Sequence, residues 1–206
     1  MFKIEKGINL SHWLSQVFGW SPRPKFITEN DIIFIKNAGF DHIRLPIDEE
    51  ELWNIDFTKK TDAFLDMHSC IQWSIQHDLR VVIDLHILRS HHFNNAGNGE
   101  GAMTLWESSD DQNHMMEIWK VLSAELGKYP IESVAYEFMN EPVAPKHGMW
   151  NALVAQGHKT IRQLEPERTI IFRPNMWQMP KFFDNFEIPK GDSNIILSFH
   201  TYDPLP

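Results

Sequence analysis

The chain has 206 residues, 42% of them hydrophobic and 23% charged, and a formal net charge of −9. Those proportions suit one globular core, and nothing divides residues 1–206 into separate domains. Lys and Arg are scattered without a basic run, so the acidic surface repels phosphate backbones and nucleic acid is not expected as a partner. No apolar run approaches the roughly 20 residues of a membrane span, so no membrane association is expected. The opening Met1-Phe2-Lys3-Ile4-Glu5-Lys6-Gly7 lacks the apolar stretch of a signal peptide. That fits a cytoplasmic protein if Met1 is the native start, and a secreted one if a leader has been removed. Cys70 is the only cysteine, so no intrachain disulfide can form. Its place beside Phe64, Met67, Ile71 and Ile75 makes it a buried, inert thiol. Eight Trp and fourteen Phe exceed what a small core needs, so some are expected on a surface that grips a ligand.

Along the chain, short apolar runs alternate with helix-length amphipathic stretches, the pattern of a parallel α/β fold. The first predicted strand is Gly7–Leu10. A helix follows from about Glu29 to Asn37, with Thr28 as its N-cap and Gly39 just past its end. Next come a strand over His42–Pro46, a helix over Asp62–His77 and a strand over Arg80–His86. The loop from Ile87 to Ser108 is the longest and carries Gly97, Gly99 and Gly101; such a loop is functional or disordered. A capping box, Ser109-Asp110-Asp111-Gln112, opens a helix with Met115, Ile118, Trp119, Leu122 and Leu126 at helical spacing. A strand over Ser133–Asn140 leads to a helix whose stripe is Trp150, Leu153, Val154, Ile161 and Leu164. The last two strands are Thr169–Arg173 and Ile195–Tyr202. Several strands are apolar on consecutive positions, as expected where both faces are covered.

Polar residues gather at the C-terminal ends of these strands. Arg44 lies near the end of the second, His86 closes the third, Asn140 and Glu141 close the fourth, and His200 and Tyr202 close the sixth. In a parallel barrel those ends converge on one face, where residues distant in sequence share a cleft. Pro142 is expected to stop the fourth strand and to hold Glu141 extended at the rim. Glu137, four residues earlier, points to the same side but lies deeper, as a supporting group and not a second catalytic carboxylate. Glu107 reads as a surface residue.

The Asn140-Glu141-Pro142 triplet closing a fourth strand resembles the cellulase-like retaining glycosidases of glycoside hydrolase family 5. Gly7-Ile8-Asn9-Leu10, Arg44-Leu45-Pro46, Asp84-Leu85-His86 and His200-Thr201-Tyr202 fall in the family's order, and the resemblance covers essentially the whole chain. It implies an α/β fold, a (β/α)8 TIM barrel, and cofactor-free hydrolysis of a β-linked glucan or related glycan, the substrate being an oligo- or polysaccharide. Carried over to the matching positions, Glu141 is the general acid/base and Asn140 holds the sugar 2-hydroxyl. Arg44 orients the nucleophile carboxylate, and His86, His200 and Tyr202 line the subsite of the reacting sugar. Trp177, just after the fifth strand, is a stacking platform or a core residue. His86 and Tyr202 have core readings as well, and Arg44 that of a structural ion pair.

The family's nucleophile is a Glu closing a seventh strand, whereas six strands are predicted here. A barrel of about 250 residues needs about 30 per unit, so the first six βα units are present and the last two missing. Six strands leave two unpaired edges. The chain is therefore expected to be a fragment, inactive alone, completed by a C-terminal segment or by self-association. A second reading is a non-catalytic carbohydrate-binding barrel, which keeps Trp177 and the polar rim without a second carboxylate. A third, a metal-dependent hydrolase built on His86, His91 and His92, is weakened because no His-x-His closes the first strand. The glycan, its linkage and endo versus exo action stay open.

Overall fold

The computed structural model describes residues 2–17, 26–95 and 103–202. One parallel sheet contains β1 (Gly7–Asn9), β2 (His42–Asp48), β3 (Arg80–Ile87), β4 (Val134–Glu137), β5 (Ile170–Phe172) and β6 (Ile195–Leu197). Each strand pairs with the next in sequence, so the order never reverses as it would in a doubly wound sheet. This is the succession of barrel strands, joined by helices. Those helices are α1 (Glu29–Asn37), α2 (Glu49–Leu52), α3 (Thr61–Gln76), α4 (Ser109–Leu126) and α5 (His147–Leu164). β1 and β6 form the two edges, and Ile8 and Leu197 on them are exposed.

The helix ends follow side-chain chemistry. The Asp31 carboxylate accepts hydrogen bonds from the Thr28 backbone N–H at 2.8 Å and from its hydroxyl at 2.7 Å, so Thr28 opens α1 as predicted. Gly39, with φ +84°, turns the chain away after it. In α4 the predicted box is displaced by one residue: Ser108, not Ser109, is the N-cap, and its hydroxyl accepts from the Asp111 N–H at 3.1 Å. Leu164 departs from the apolar stripe of α5 and is exposed. The single turn of α2 is too short to show a helical period and was not predicted. Cys70 is buried, and burial pushes its thiol up to about 12.

Trp13, Trp53, Trp106, Trp119 and Trp150 lie in the core between sheet and helices. A buried indole N–H needs an acceptor, and two of these find one at strand ends. Trp119 of α4 donates to the Phe138 carbonyl at 3.1 Å, and Trp150 of α5 donates to the Arg173 carbonyl at 2.8 Å. The chain just beyond β4 and β5 is thus pinned to two helices. The Phe138 ring packs 6.0 Å from Trp119, 5.9 Å from Trp150 and 5.5 Å from Phe172, centroid to centroid. Gly157 of α5 presses on it: a Cβ there would lie 2.1 Å from the Phe138 ring. Gly157→Ala should raise helix propensity by about 1 kcal/mol, yet we expect a net loss of about 1–3 kcal/mol from overpacking. A lowered denaturant midpoint would bear this out; a raised one would mean that the ring moves aside.

On the other face of the sheet, Phe2, Val82, Ala135 and Ile171 form a small apolar cluster. The two-residue period of a strand puts Asp84, Glu137 and Arg173 on that same face, one step nearer the C-terminal ends. A polar layer therefore sits above an apolar one.

Candidate active site

The polar layer is built around Glu137, whose side chain is fully buried. Its carboxylate accepts from Arg44 Nε at 2.8 Å, Arg44 Nη2 at 2.6 Å and Arg173 Nη2 at 2.7 Å. Burial opposes ionisation, but Arg173 and Arg44 hold the Glu137 carboxyl well below the usual range. Arg44 also reaches Asp84 Oδ2 at 2.8 Å, Asn140 Oδ1 at 2.8 Å and Asn9 Oδ1 at 3.1 Å. Asp84 Oδ2 in turn meets His86 Nδ1 at 2.6 Å. Burial pushes the Asp84 carboxyl up, Arg44 pulls it back, and the Glu137 charge adds to the rise. Arg44 is thus a rigid post linking β1, β2, β3 and the chain after β4, with Asn140 held on top of it.

β4 ends at Glu137, so Asn140 and Glu141 follow the strand and do not close it. Glu141 has φ +41°, in the left-handed region, and not the extended backbone predicted from Pro142. Such a residue costs on the order of 1–3 kcal/mol and persists only when its surroundings over-determine it. Those surroundings are a second strained segment. Met176, Trp177 and Gln178 have φ of 59°, 55° and 60°, a left-handed turn with no glycine in it. The Trp177 N–H donates to the Pro142 carbonyl at 3.2 Å, and the Asn175 side chain makes two 2.9 Å bonds with the Ala144 backbone. Gln178 donates to the Met139 carbonyl at 3.2 Å and accepts from Arg173 Nη1 at 2.8 Å. The two segments brace each other.

The left-handed turn leaves Glu141 7% exposed, with Oε1 2.7 Å from His200 Nδ1. β6 ends at Leu197, so His200 and Tyr202 lie past it, where the His200 N–H donates to the Gln178 carbonyl at 3.0 Å. The Tyr202 ring stands edge-on to His200 at 6.4 Å; the residue is 69% exposed and is not core filler. Burial of its hydroxyl and the Glu141 charge both raise the tyrosine's pKa. Phe93, Glu141, Trp177, His200 and Tyr202 line a cavity of about 700 Å³, within the size of ligand pockets. Trp177 lines this cavity, its indole N–H donating to the Phe93 carbonyl at 3.3 Å. His86 meets Phe93 edge-on at 5.4 Å, which brings the third strand to the cavity wall. A hollow of about 810 Å³ between α5 and residues 186–190 shares no residue with the polar layer.

The sequence model of Cellulase (glycosyl hydrolase family 5) matches residues 4–206. The chain belongs to glycosyl hydrolase family 5. Endoglucanase C of Acetivibrio thermocellus is 32% identical over 209 residues, which take in 100% of this chain and 59% of that protein. Cellodextrinase A of Ruminococcus flavefaciens is 28% identical, over 98% of this chain and 59% of that protein. The crystal structure of the cellulose synthase subunit Z from Clostridioides difficile superposes with a TM-score of 0.80 at 29% identity, covering 98% of this chain and 62% of that one. The chain therefore spans 59% of the length of these curated relatives, and it provides the first six βα units of a family 5 (β/α)8 barrel.

All seven residues singled out in the sequence lie on one face of this family 5 barrel, in two linked sets. Arg44, Asn140 and His86 share the ionic layer; Glu141, His200, Tyr202 and Trp177 share the cavity. Arg173 and Gln178, which join the sets, were missed. The signal for Arg173 was the same as for Arg44, an arginine at the end of an apolar strand. Of the other histidines, His91 is fully buried with no partner on either ring nitrogen, and burial lowers it to about 3. Among the described residues no three His, Cys, Asp or Glu side chains are placed to hold a metal ion, and no helix is long and apolar enough to cross a membrane. The loop flanks form short 3-10 turns at Phe93–Asn95 and Thr104–Trp106; Gly97, Gly99 and Gly101 lie outside the described residues. Glu107 is exposed, as expected.

Asp48, at the end of β2, accepts from the Gln16 N–H at 2.6 Å and is buried. Burial pushes its carboxyl up from 3.8 to about 6. A raised folded value means that the folded state favours the protonated form. The stability involved is fully present below about pH 4 and is lost as pH rises through about 6, a change of about 3 kcal/mol. Asp48→Asn should remove this fall, checked by denaturant unfolding across that range. An unchanged pH dependence would show that Asp48 is hydrated.

Proposed function

We propose that the protein is a retaining glycoside hydrolase of endoglucanase type, cleaving a β-linked glucan, with Glu141 as general acid/base. The observation that carries this reading is the strained, almost fully buried Glu141 carboxyl, bonded to His200 at 2.7 Å on the wall of an open cavity. An acid/base needs a fixed carboxyl within reach of the glycosidic oxygen, and the over-determined backbone fixes this one. Retention needs a second carboxylate about 5–5.5 Å away. Glu137 is no candidate, because two guanidiniums hold it. The nucleophile is assigned to a Glu on a seventh strand outside these residues, with Arg44 supporting it. Asn140, steadied by Arg44, receives the sugar 2-hydroxyl; His86, His200 and Tyr202 line the reacting subsite, and Trp177 supplies a flat apolar face for a pyranose. The names of the relatives, endoglucanase and cellodextrinase, support a glucan or its oligosaccharides as substrate.

On this reading the 206 residues bind sugar without turning it over. The test is reducing-sugar release from β-1,4-glucan, β-1,3-glucan, mannan and xyloglucan, by this chain and by the complete polypeptide that carries it. Hydrolysis of a β-glucan by the complete polypeptide alone is expected. Binding without hydrolysis by both would favour a non-catalytic carbohydrate-binding barrel.

A further inference from the structure

Arg173 sits between the ionic layer and the cavity. Its side chain is buried, with Nη2 on Glu137 at 2.7 Å and Nη1 on both Gln178 Oε1 at 2.8 Å and His200 Nε2. Burial lowers its pKa and the Glu137 carboxylate beside it raises it; a guanidinium in a protein stays protonated and has donors only. His200 Nε2 must then be an acceptor, bearing no hydrogen. The ring hydrogen of neutral His200 is left on Nδ1, the atom 2.7 Å from Glu141 Oε1.

A carboxylate at 141 would impose that tautomer by itself, but only while ionised. Once Glu141 carries its proton, one of its oxygens could donate to a bare Nδ1, and the constraint from that side disappears. The constraint from Arg173 does not. With Nδ1–H always facing Oε1, that oxygen is always an acceptor, and the carboxyl proton has to reside on Oε2.

We infer that Arg173 is a positioning residue: through Glu137 it is held in place, and through His200 it keeps the transferable proton of Glu141 on the oxygen turned away from the imidazole. The inference rests on Glu141 being the acid/base. Protonation on Oε1 would point the proton at a ring nitrogen instead of a leaving group. An Arg reaching an imidazole in this way selects one of two tautomers that differ little in the free side chain, so a single buried donor is enough.

The experiment is ¹⁵N spectroscopy of histidine-labelled protein at neutral pH, with the His200 signals assigned by their loss in His200→Asn. In the wild type a protonated Nδ1 and a bare Nε2 are expected. In Glu141→Gln, whose carboxamide can donate or accept, the same tautomer should persist, because Arg173 still imposes it. In Arg173→Met combined with Glu141→Gln, where neither neighbour fixes the ring, the Nε2–H form should appear, and in the complete polypeptide Arg173→Met alone should lower kcat on the order of 10²-fold with KM little changed. An Nε2–H tautomer in the wild type, or a switch to it in Glu141→Gln, would overturn the inference whether or not Arg173→Met folds. These spectra do not depend on turnover. If Glu141→Gln kept full hydrolysis while its spectrum was as expected, the acid/base assignment would fail and the tautomer assignment would stand.

Discussion

Glu141→Gln in the complete polypeptide is expected to slow hydrolysis of a β-1,4-glucan by about 10²–10⁴-fold. The carboxamide fills the same space and can still meet His200, so folding and sugar binding should survive. What is lost is the proton delivered to a poor leaving group. A sugar alcohol cannot depart as its anion at neutral pH, whereas a dinitrophenolate can. The variant should therefore keep much of the rate of the first step on an activated aryl glycoside, then stall because no base remains to activate water. Added azide, which needs no such base, should restart turnover and release the glycosyl azide. Equal losses on both substrates, with no azide effect, would point to misfolding or to another acid.

The second large effect is on stability. Glu137→Ala leaves two guanidiniums, Arg44 and Arg173, facing each other in a buried layer without their shared anion. Breaking a buried ion pair by removing one partner costs about 3–5 kcal/mol; Arg44 keeps Asp84 at 2.8 Å, whereas Arg173 loses the carboxylate it is paired with. Because Glu137 is held well below the usual carboxylate range, its contribution is present at neutral pH and is lost only as pH falls through that low value. Denaturant unfolding at neutral pH would measure the loss; a cost below about 1 kcal/mol would mean that water already shares the layer. Arg44→Lys should destabilise too, since one ammonium cannot replace a fork that touches Glu137, Asp84, Asn140 and Asn9.

The barrel was legible because strand and helix periods are strong local signals. Consecutive apolar positions in β3 and the stripe of α4 each reflect burial, and burial decides the fold. The polar residues at strand ends were legible for the same reason in reverse, since a charged group on an apolar strand needs a partner. The backbone turns of the site were not. Nothing in Asn175-Met176-Trp177-Gln178 announces a left-handed turn, because these residues adopt it only under tertiary bonds to Pro142, Ala144, Met139 and Arg173. Glu141 before Pro142 reads as extended on local sterics, and the braced loops override that preference. The role of Arg173 was hidden because it depends on His200, 27 residues away in sequence.

One structure would test the assignment most directly: Glu141→Gln crystallised with a β-1,4-linked glucose oligosaccharide. A glycosidic oxygen is expected within about 2.6–3.2 Å of the side chain at position 141, with a pyranose face against Trp177. An oligosaccharide bound outside the cavity, or one inside it whose glycosidic oxygens all lie beyond the reach of that side chain, would contradict Glu141 as the acid/base.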